Sequence, residues 1–309
     1  MVKIREITYK NYGTCVELSN GLVDVCVTTD VGPRIIRYGF IGKENMMHED
    51  TARRGCEKGD VFDRFYGAGS AWYSYGGHRL WASPEALPRT YYPDNAPVAY
   101  KINGNTVTFT PAEQKENHLQ MQIAVTLADD TSMVTVSHTI TNTGGTPVTC
   151  AAWALSVMVK GGLCAVEQTS RDTGLLHNRA VALWPYAKMN DRRVHWGERF
   201  ITLQQEAGHP SPFKLGTTNE PGYALYFNHE CMFIKRYCHA LEGVYPDGGM
   251  SFETYTNDDF IEVETLSPLK TLKCGESVCH TETWQLYSGV AMPQAGDEAA
   301  LSALVDKYC

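Results

Sequence analysis

Apolar and polar residues alternate along most of this chain with a period of two, which places successive side chains on opposite faces of a strand. The clearest runs are Leu22–Thr29, Asn105–Pro111, Leu119–Leu127 and Ser132–Asn142, all rich in β-branched residues. "ADDT" parts the last two and Asn103–Gly104 precedes another, so both positions predict hairpin turns. "VTCAAWALSVMV" has no polar face and predicts a strand buried on both sides. Further strands are expected at Arg199–Gln205, Tyr223–Asn228, Cys231–Tyr237, Ser251–Thr256, Phe260–Leu266 and Ser277–Leu286. A helical period is convincing only near the end, over Asp297–Tyr308, with Asp297 as N-cap and Leu301, Leu304 and Val305 as the apolar stripe. No repeat or linker interrupts the pattern. The expected fold class is all-β, residues 1–309 forming one domain of large twisted antiparallel sheets with few helices.

Composition narrows the function. With 27 Lys and Arg against 35 Asp and Glu, the formal charge is −8, which argues against nucleic acid as partner. It also disfavours a strongly anionic ligand without a local basic pocket. No apolar run reaches spanning length, and the first residues lack a secretory core, so no membrane partner and a cytoplasmic location are expected. The ten cysteines stand alone in apolar runs without a CxxC pair and read as reduced thiols. Nucleotide-binding glycine loops, a GxSxG elbow and HExxH are absent, and no two of the ten histidines are two or four apart, so neither cofactor nor metal is expected.

Four stretches carry candidate chemistry. In "SYGGHRLWASPE", two glycines mark a close backbone approach. His78 and Arg79 follow, facing opposite ways: His78 with Leu80, Arg79 with Trp81. The plain alternative is a bulged strand with a satisfied buried histidine. In "FIEVETLSP", Glu262 and Glu264 share one face of a strand, either a solvated face or a sheltered pair with raised pKa fit for general base work. "RAVALWPYAKMNDRRVHWGERF" offers Trp184 among arginines, suited to stacking on a sugar ring or to anchoring a loop. Lys214 in "SPFKLG" either reaches a ligand or is solvated.

These stretches, with "DVGPRIIRYGF" and "LKTLKCGESVCHTETWQLY", resemble the galactose mutarotase-like (aldose 1-epimerase) superfamily, and more closely an uncharacterised bacterial branch of it. The resemblance spans nearly the whole chain. It implies a β-supersandwich with a monosaccharide or sugar acid in an open groove on one sheet. "VETLSP" matches the strand carrying the family's base, which implies that role for Glu264. Arg79 is the nearest candidate for the family's substrate-contacting arginine. Trp153 falls where mutarotases carry the histidine that protonates the ring oxygen; an indole stacks on a sugar but donates no proton. The expectation is that His78 replaces that acid, with Arg79, Trp153, Glu262, Lys214 and Trp184 binding substrate. Anomer interconversion by acid–base ring opening, a non-catalytic carbohydrate-binding or sensing role, and a lyase or hydrolase using Glu264 with a second acid all stay open. The oligomeric state is not readable from the sequence.

Overall fold

The computed structural model describes residues 1–309. Two large antiparallel sheets of eleven and ten strands pack face to face, and a two-stranded ribbon lies beside them. Reading across the middle of the larger sheet, the strands are Ile35–Phe40, Gly77–Ser83, Val148–Val159, Phe260–Leu266, Phe252–Thr256 and Phe213–Thr217. The smaller sheet is centred on Cys231–Tyr237, Ser277–Ser288, Val134–Asn142 and Leu119–Leu127.

The alternation in the sequence is the reason for this layering. Leu119–Leu127 and Val134–Asn142 bury every second residue against the facing sheet and leave Thr, Ser and Gln half exposed. Their Val, Ile and Leu side chains meet Ile35, Ala152, Met158, Ile261 and Val263 of the larger sheet in the main core. Each such side chain removed from water contributes about 1.5–3 kcal/mol. Val148–Val159 is buried on both faces as its composition predicts. Ala152, Ala154, Ser156 and Met158 occupy the inter-sheet face, and Trp153 and Leu155 join a separate aromatic cluster on the outer face.

The expected strands appear at or within a few residues of their expected ends. The C-terminal helix runs Glu298–Tyr308, and Asp297 caps it by accepting from the Ala300 N–H at 3.0 Å. Sequence reading missed a short helix at Asp60–Tyr66. All ten cysteines are unpaired. No helix is long and apolar enough to cross a membrane.

The glycine pair before His78 has the expected cause. Gly76 and Gly77 have φ of +83° and +67°. A Cβ on Gly76 would stand 2.3 Å from the His48 carbonyl oxygen, and one on Gly77 2.4 Å from that of Ile35. Only glycine admits both the left-handed conformation and the approach. The chain thus turns into Gly77–Ser83, which touches Ile35–Phe40 through the Ile35–His78 pair and then runs along Val148–Val159.

Candidate functional site

The outer face of the larger sheet is the floor of an open cleft of about 740 Å³. Strand register brings its groups together. Leu155 pairs with Arg79 on one side and Glu264 on the other, Trp153 lies opposite Trp81, and Glu253 lies opposite Glu264. Because facing alternates, Arg79, Trp81, Trp153, Glu262, Glu264, Glu253, Tyr255 and Lys214 all belong to this outer face.

Two ion-paired groups divide the floor. In the first, Arg79 Nη2 donates to Glu262 Oε1 at 3.0 Å, while the guanidinium carbon stacks 4.2 Å from the Trp81 ring centroid and 5.6 Å from that of Trp72. Arg79 Nε and Nη1 and Trp72 Nε1 have no hydrogen-bond partner. In the second, Glu264 Oε2 accepts from Trp153 Nε1 at 2.8 Å and from Lys214 Nζ at 3.0 Å. Glu264 Oε1 is unpartnered. Lys214 Nζ also lies 2.7 Å from Glu253 Oε2, an ion pair off the hydrogen-bond direction, so that both Glu253 oxygens lack a hydrogen-bond partner. The ammonium sits 4.6 Å from the ring centroids of both Trp153 and Trp184.

Burial without full compensation sets the titration of these groups. Desolvation pushes the Glu262 carboxyl up to about 7; Arg79 opposes the rise and Glu264 adds to it. Desolvation likewise raises Glu253 well above the usual carboxylate range, against the pull of Lys214. For Lys214 burial works to lower the pKa, but Glu264 and Glu253 outweigh it and hold the ammonium above the usual lysine range. The floor therefore carries a carboxyl that exchanges its proton near neutrality and a fixed cation.

Around the floor stand Tyr91, Trp184, Tyr186 and Tyr255, with His48, Arg54, Asp258 and Asp259 on the rim. Flat aromatic faces beside unpartnered donors and acceptors suit a small polyhydroxylated ligand, whose C–H faces stack while its hydroxyls exchange hydrogen bonds.

Five of the seven sequence-derived residues line the cleft, Arg79, Trp153, Lys214, Glu262 and Trp184, and Glu264 lies buried directly beneath, bonded to Trp153 and Lys214. Lys214 is a buried ion-paired group of the floor and not a solvated lysine. The expectation for His78 needs correction. Its side chain points through the sheet into the core, where it has no exposed surface and does not line the cleft. It is one residue out of phase with Arg79, and the alternation that puts Arg79 in the cleft removes His78 from it.

Sequence reading missed Glu253, Trp72 and Tyr255. The signal for the first and last was available, since in "SFETYT" Glu253 and Tyr255 share a face. Trp72 comes from the two-stranded ribbon, which only tertiary folding brings over Trp81.

Behind the floor lies a second polar group. His78 Nδ1 is 2.8 Å from Ser156 Oγ, and His78 Nε2 is 2.7 Å from His138 Nε2. His138 Nδ1 reaches the His280 carbonyl oxygen at 3.0 Å. His280 Nε2 reaches Thr265 Oγ1 at 2.7 Å, and Thr265 donates to Glu282. Glu282 also accepts from Trp284 Nε1 at 2.8 Å and pairs with Lys235 Nζ at 2.9 Å. His78, His138 and Glu282 are the residues whose ligand atoms gather within 4.8 Å, as a metal would require. Each of these atoms is already engaged in a hydrogen bond or ion pair, and Lys235 supplies the positive charge beside Glu282.

No protein-family model matches the sequence, and no curated protein does. Solved structures do. A TPR-domain containing protein from Parabacteroides distasonis superposes with a TM-score of 0.60 at 13% identity, over 91% of this chain and 48% of that one. This chain thus spans about half of that protein's length. A galactose mutarotase-like protein from Lactobacillus casei gives 0.57 at 11% identity, over 88% of this chain and 100% of the other. One from Clostridium acetobutylicum gives 0.53 at 12%, over 93% and 99%. With two facing antiparallel sheets matched nearly end to end, the chain has the galactose mutarotase-like fold.

Proposed function

We propose that this protein binds a monosaccharide in the cleft and interconverts its anomers, with Glu264 as base and Glu262 as acid. The observation that carries the reading is the carboxyl pair itself. Glu264 holds one oxygen free of partners, and two residues along the same face Glu262 exchanges its proton near 7. A carboxyl that exchanges its proton near the working pH suits the acid role. Glu264 takes the anomeric hydroxyl proton, the bond from the anomeric carbon to the ring oxygen breaks, and its electrons go to the ring oxygen, which takes the Glu262 proton. The open aldehyde rotates, and closure reverses each transfer. Acid and base contribute roughly 10²–10⁴-fold each. Arg79, with two unpartnered nitrogens, and the Trp153 and Trp184 faces hold the sugar. The ten free thiols support a reducing, cytoplasmic setting.

One observation favours a binding or sensing protein instead: Glu264 has no exposed surface, lying beneath Trp153 and Lys214. Two-dimensional exchange NMR on a panel of aldoses separates the readings. Catalysis requires wild type to exchange anomers faster than buffer and Glu264→Gln to bind the same sugar without exchange. A sugar that binds but exchanges at the buffer rate leaves the binding role.

A further inference from the structure

The cleft holds cations, but none is free. Arg54 is closed by Asp259, Arg79 by Glu262, and Lys214 by both Glu253 and Glu264. His48 on the rim is held below its usual pKa, chiefly by burial. The floor sets Glu262, Glu264 and Glu253 around Arg79 and Lys214, and burial already drives Glu262 and Glu253 toward their neutral forms. A ligand phosphate or carboxylate would enter as one more negative charge in a partly desolvated place.

The mouth carries acids without cations. A second lobe of about 480 Å³ joins the cleft through Trp153, Trp184, Tyr91, Glu57 and Glu85, and adds Asp247. Glu57, Glu85 and Asp247 form no ion pair with any group of the chain. They face the indoles of Trp153 and Trp184, whose rings already accommodate the Lys214 ammonium on one side. Carboxylates beside aromatic faces are the chemistry that recognises an ammonium group. A lobe whose charged residues are all acidic also concentrates ligands of the opposite sign. Independently of these acids, Arg79 is 4% exposed, lines the cleft and keeps Nε and Nη1 buried and unpartnered, which leaves donors just under the floor. Neutralised by Glu262, that guanidinium suits hydroxyls.

We propose that the cleft selects its sugar by charge: it takes an amine-bearing monosaccharide in preference to the uncharged parent, and rejects phosphorylated and carboxylated sugars. Hydroxyls lie on Arg79 at the floor and the protonated amine lies in the lobe formed by Glu57, Glu85, Asp247 and the two indoles. This rests on the sugar-binding reading of the cleft, and not on any proton transfer there.

The test is a matched series, D-glucosamine, D-glucose, D-glucuronate and D-glucose 6-phosphate, with the corresponding galactose compounds, titrated by calorimetry at low and at high salt. The expected result is that an amino sugar binds about 10-fold or more tightly than its parent, a gap of about 1.4 kcal/mol. The anionic sugars should not bind, and salt should narrow the gap by screening. The triple variant Glu57→Gln, Glu85→Gln, Asp247→Asn alters only exposed side chains. It should remove the preference, bringing the amino sugar's affinity down to that of the neutral parent measured in the same variant. An anionic sugar that binds as tightly as its parent overturns the charge selection and leaves the sugar site standing. If no sugar of the series binds, the sugar reading of the cleft falls and this proposal with it.

Discussion

Trp153 donates its indole N–H to Glu264 Oε2 across 2.8 Å. At a position where the resembling mutarotases carry an acid, this chain carries a donor that cannot give up its proton and instead holds the proposed base in place. The indole N–H and the Lys214 ammonium share one carboxylate oxygen, and the other is buried without a partner.

Trp153→Phe keeps a ring in the floor and removes that donor. A buried carboxylate that loses a hydrogen bond costs about 1.5–3 kcal/mol. Urea denaturation of the variant should show a loss in that range. Loss of less than about 0.5 kcal/mol would mean that the indole serves only to stack.

Glu262 makes stability depend on pH in a direction unusual for a carboxylate. Its folded pKa, about 7, lies above the ordinary 4.5, so between those values the folded state binds more protons than the unfolded. Its contribution is fully present below 4.5 and is lost as pH rises through 7. Glu262→Gln removes it. The stability of wild type relative to this variant should fall between pH 4.5 and 7.5, by on the order of 3 kcal/mol. A constant difference across that range would place the carboxyl at an ordinary pKa.

Much of this was legible because a strand's period of two is readable from sequence. Glu262 and Glu264 had to share a face, as did Arg79 and Trp81, and the structure puts both pairs on the outer face of one sheet, with Glu264 buried beneath the cleft that the other three line. What period two does not say is which face is which. His78 and Arg79 were correctly set on opposite sides of Gly77–Ser83, yet both were expected to serve the sugar. Once Arg79 lines the cleft, His78 must enter the core. The partners of His78 were also hidden, since Ser156 and His138 stand 78 and 60 residues away and one belongs to the other sheet. The lobe containing Asp247 was invisible for the same reason: it is assembled from loops distant in sequence.

Lys235 and Glu282 are both fully buried and 2.9 Å apart, and Lys235 also donates to the Val263 carbonyl oxygen, between Glu262 and Glu264, at 2.9 Å. Burial lowers the lysine pKa and Glu282 opposes the fall. Lys235→Met leaves Glu282 without its counter-charge and should cost about 3–5 kcal/mol by chemical denaturation. Adding Glu282→Gln should recover part of that loss, because no bare charge then remains inside. A double variant less stable than Lys235→Met would show that Glu282 is held by its neutral partners and not by the ion pair.

The histidines of this core have only one consistent arrangement of protons. A carbonyl oxygen accepts and never donates, so His138 carries its proton on Nδ1, facing His280. In the neutral ring His138 Nε2 is then an acceptor, so His78 must donate to it from Nε2. His78 Nδ1 is left as acceptor for the Ser156 hydroxyl. The Thr265 proton goes to Glu282, so His280 Nε2 donates to the Thr265 oxygen. A second proton on His138 would set two N–H groups against each other at 2.7 Å, and one on His78 would sit on Nδ1 and take away the acceptor of the Ser156 hydroxyl. Burial acts the same way, holding His78 well below 6.5, His138 below it and His280 down at about 3. Here the folded pKa is depressed for a base, so the stability these neutral rings contribute is fully present above 6.5 and is lost as pH falls below it. Nitrogen-15 NMR should find these three rings neutral at pH 5, with His78 and His280 as Nε2–H tautomers and His138 as Nδ1–H. A charged His78 at pH 5, or the Nδ1–H tautomer in that ring, would break the chain of donors at its first link.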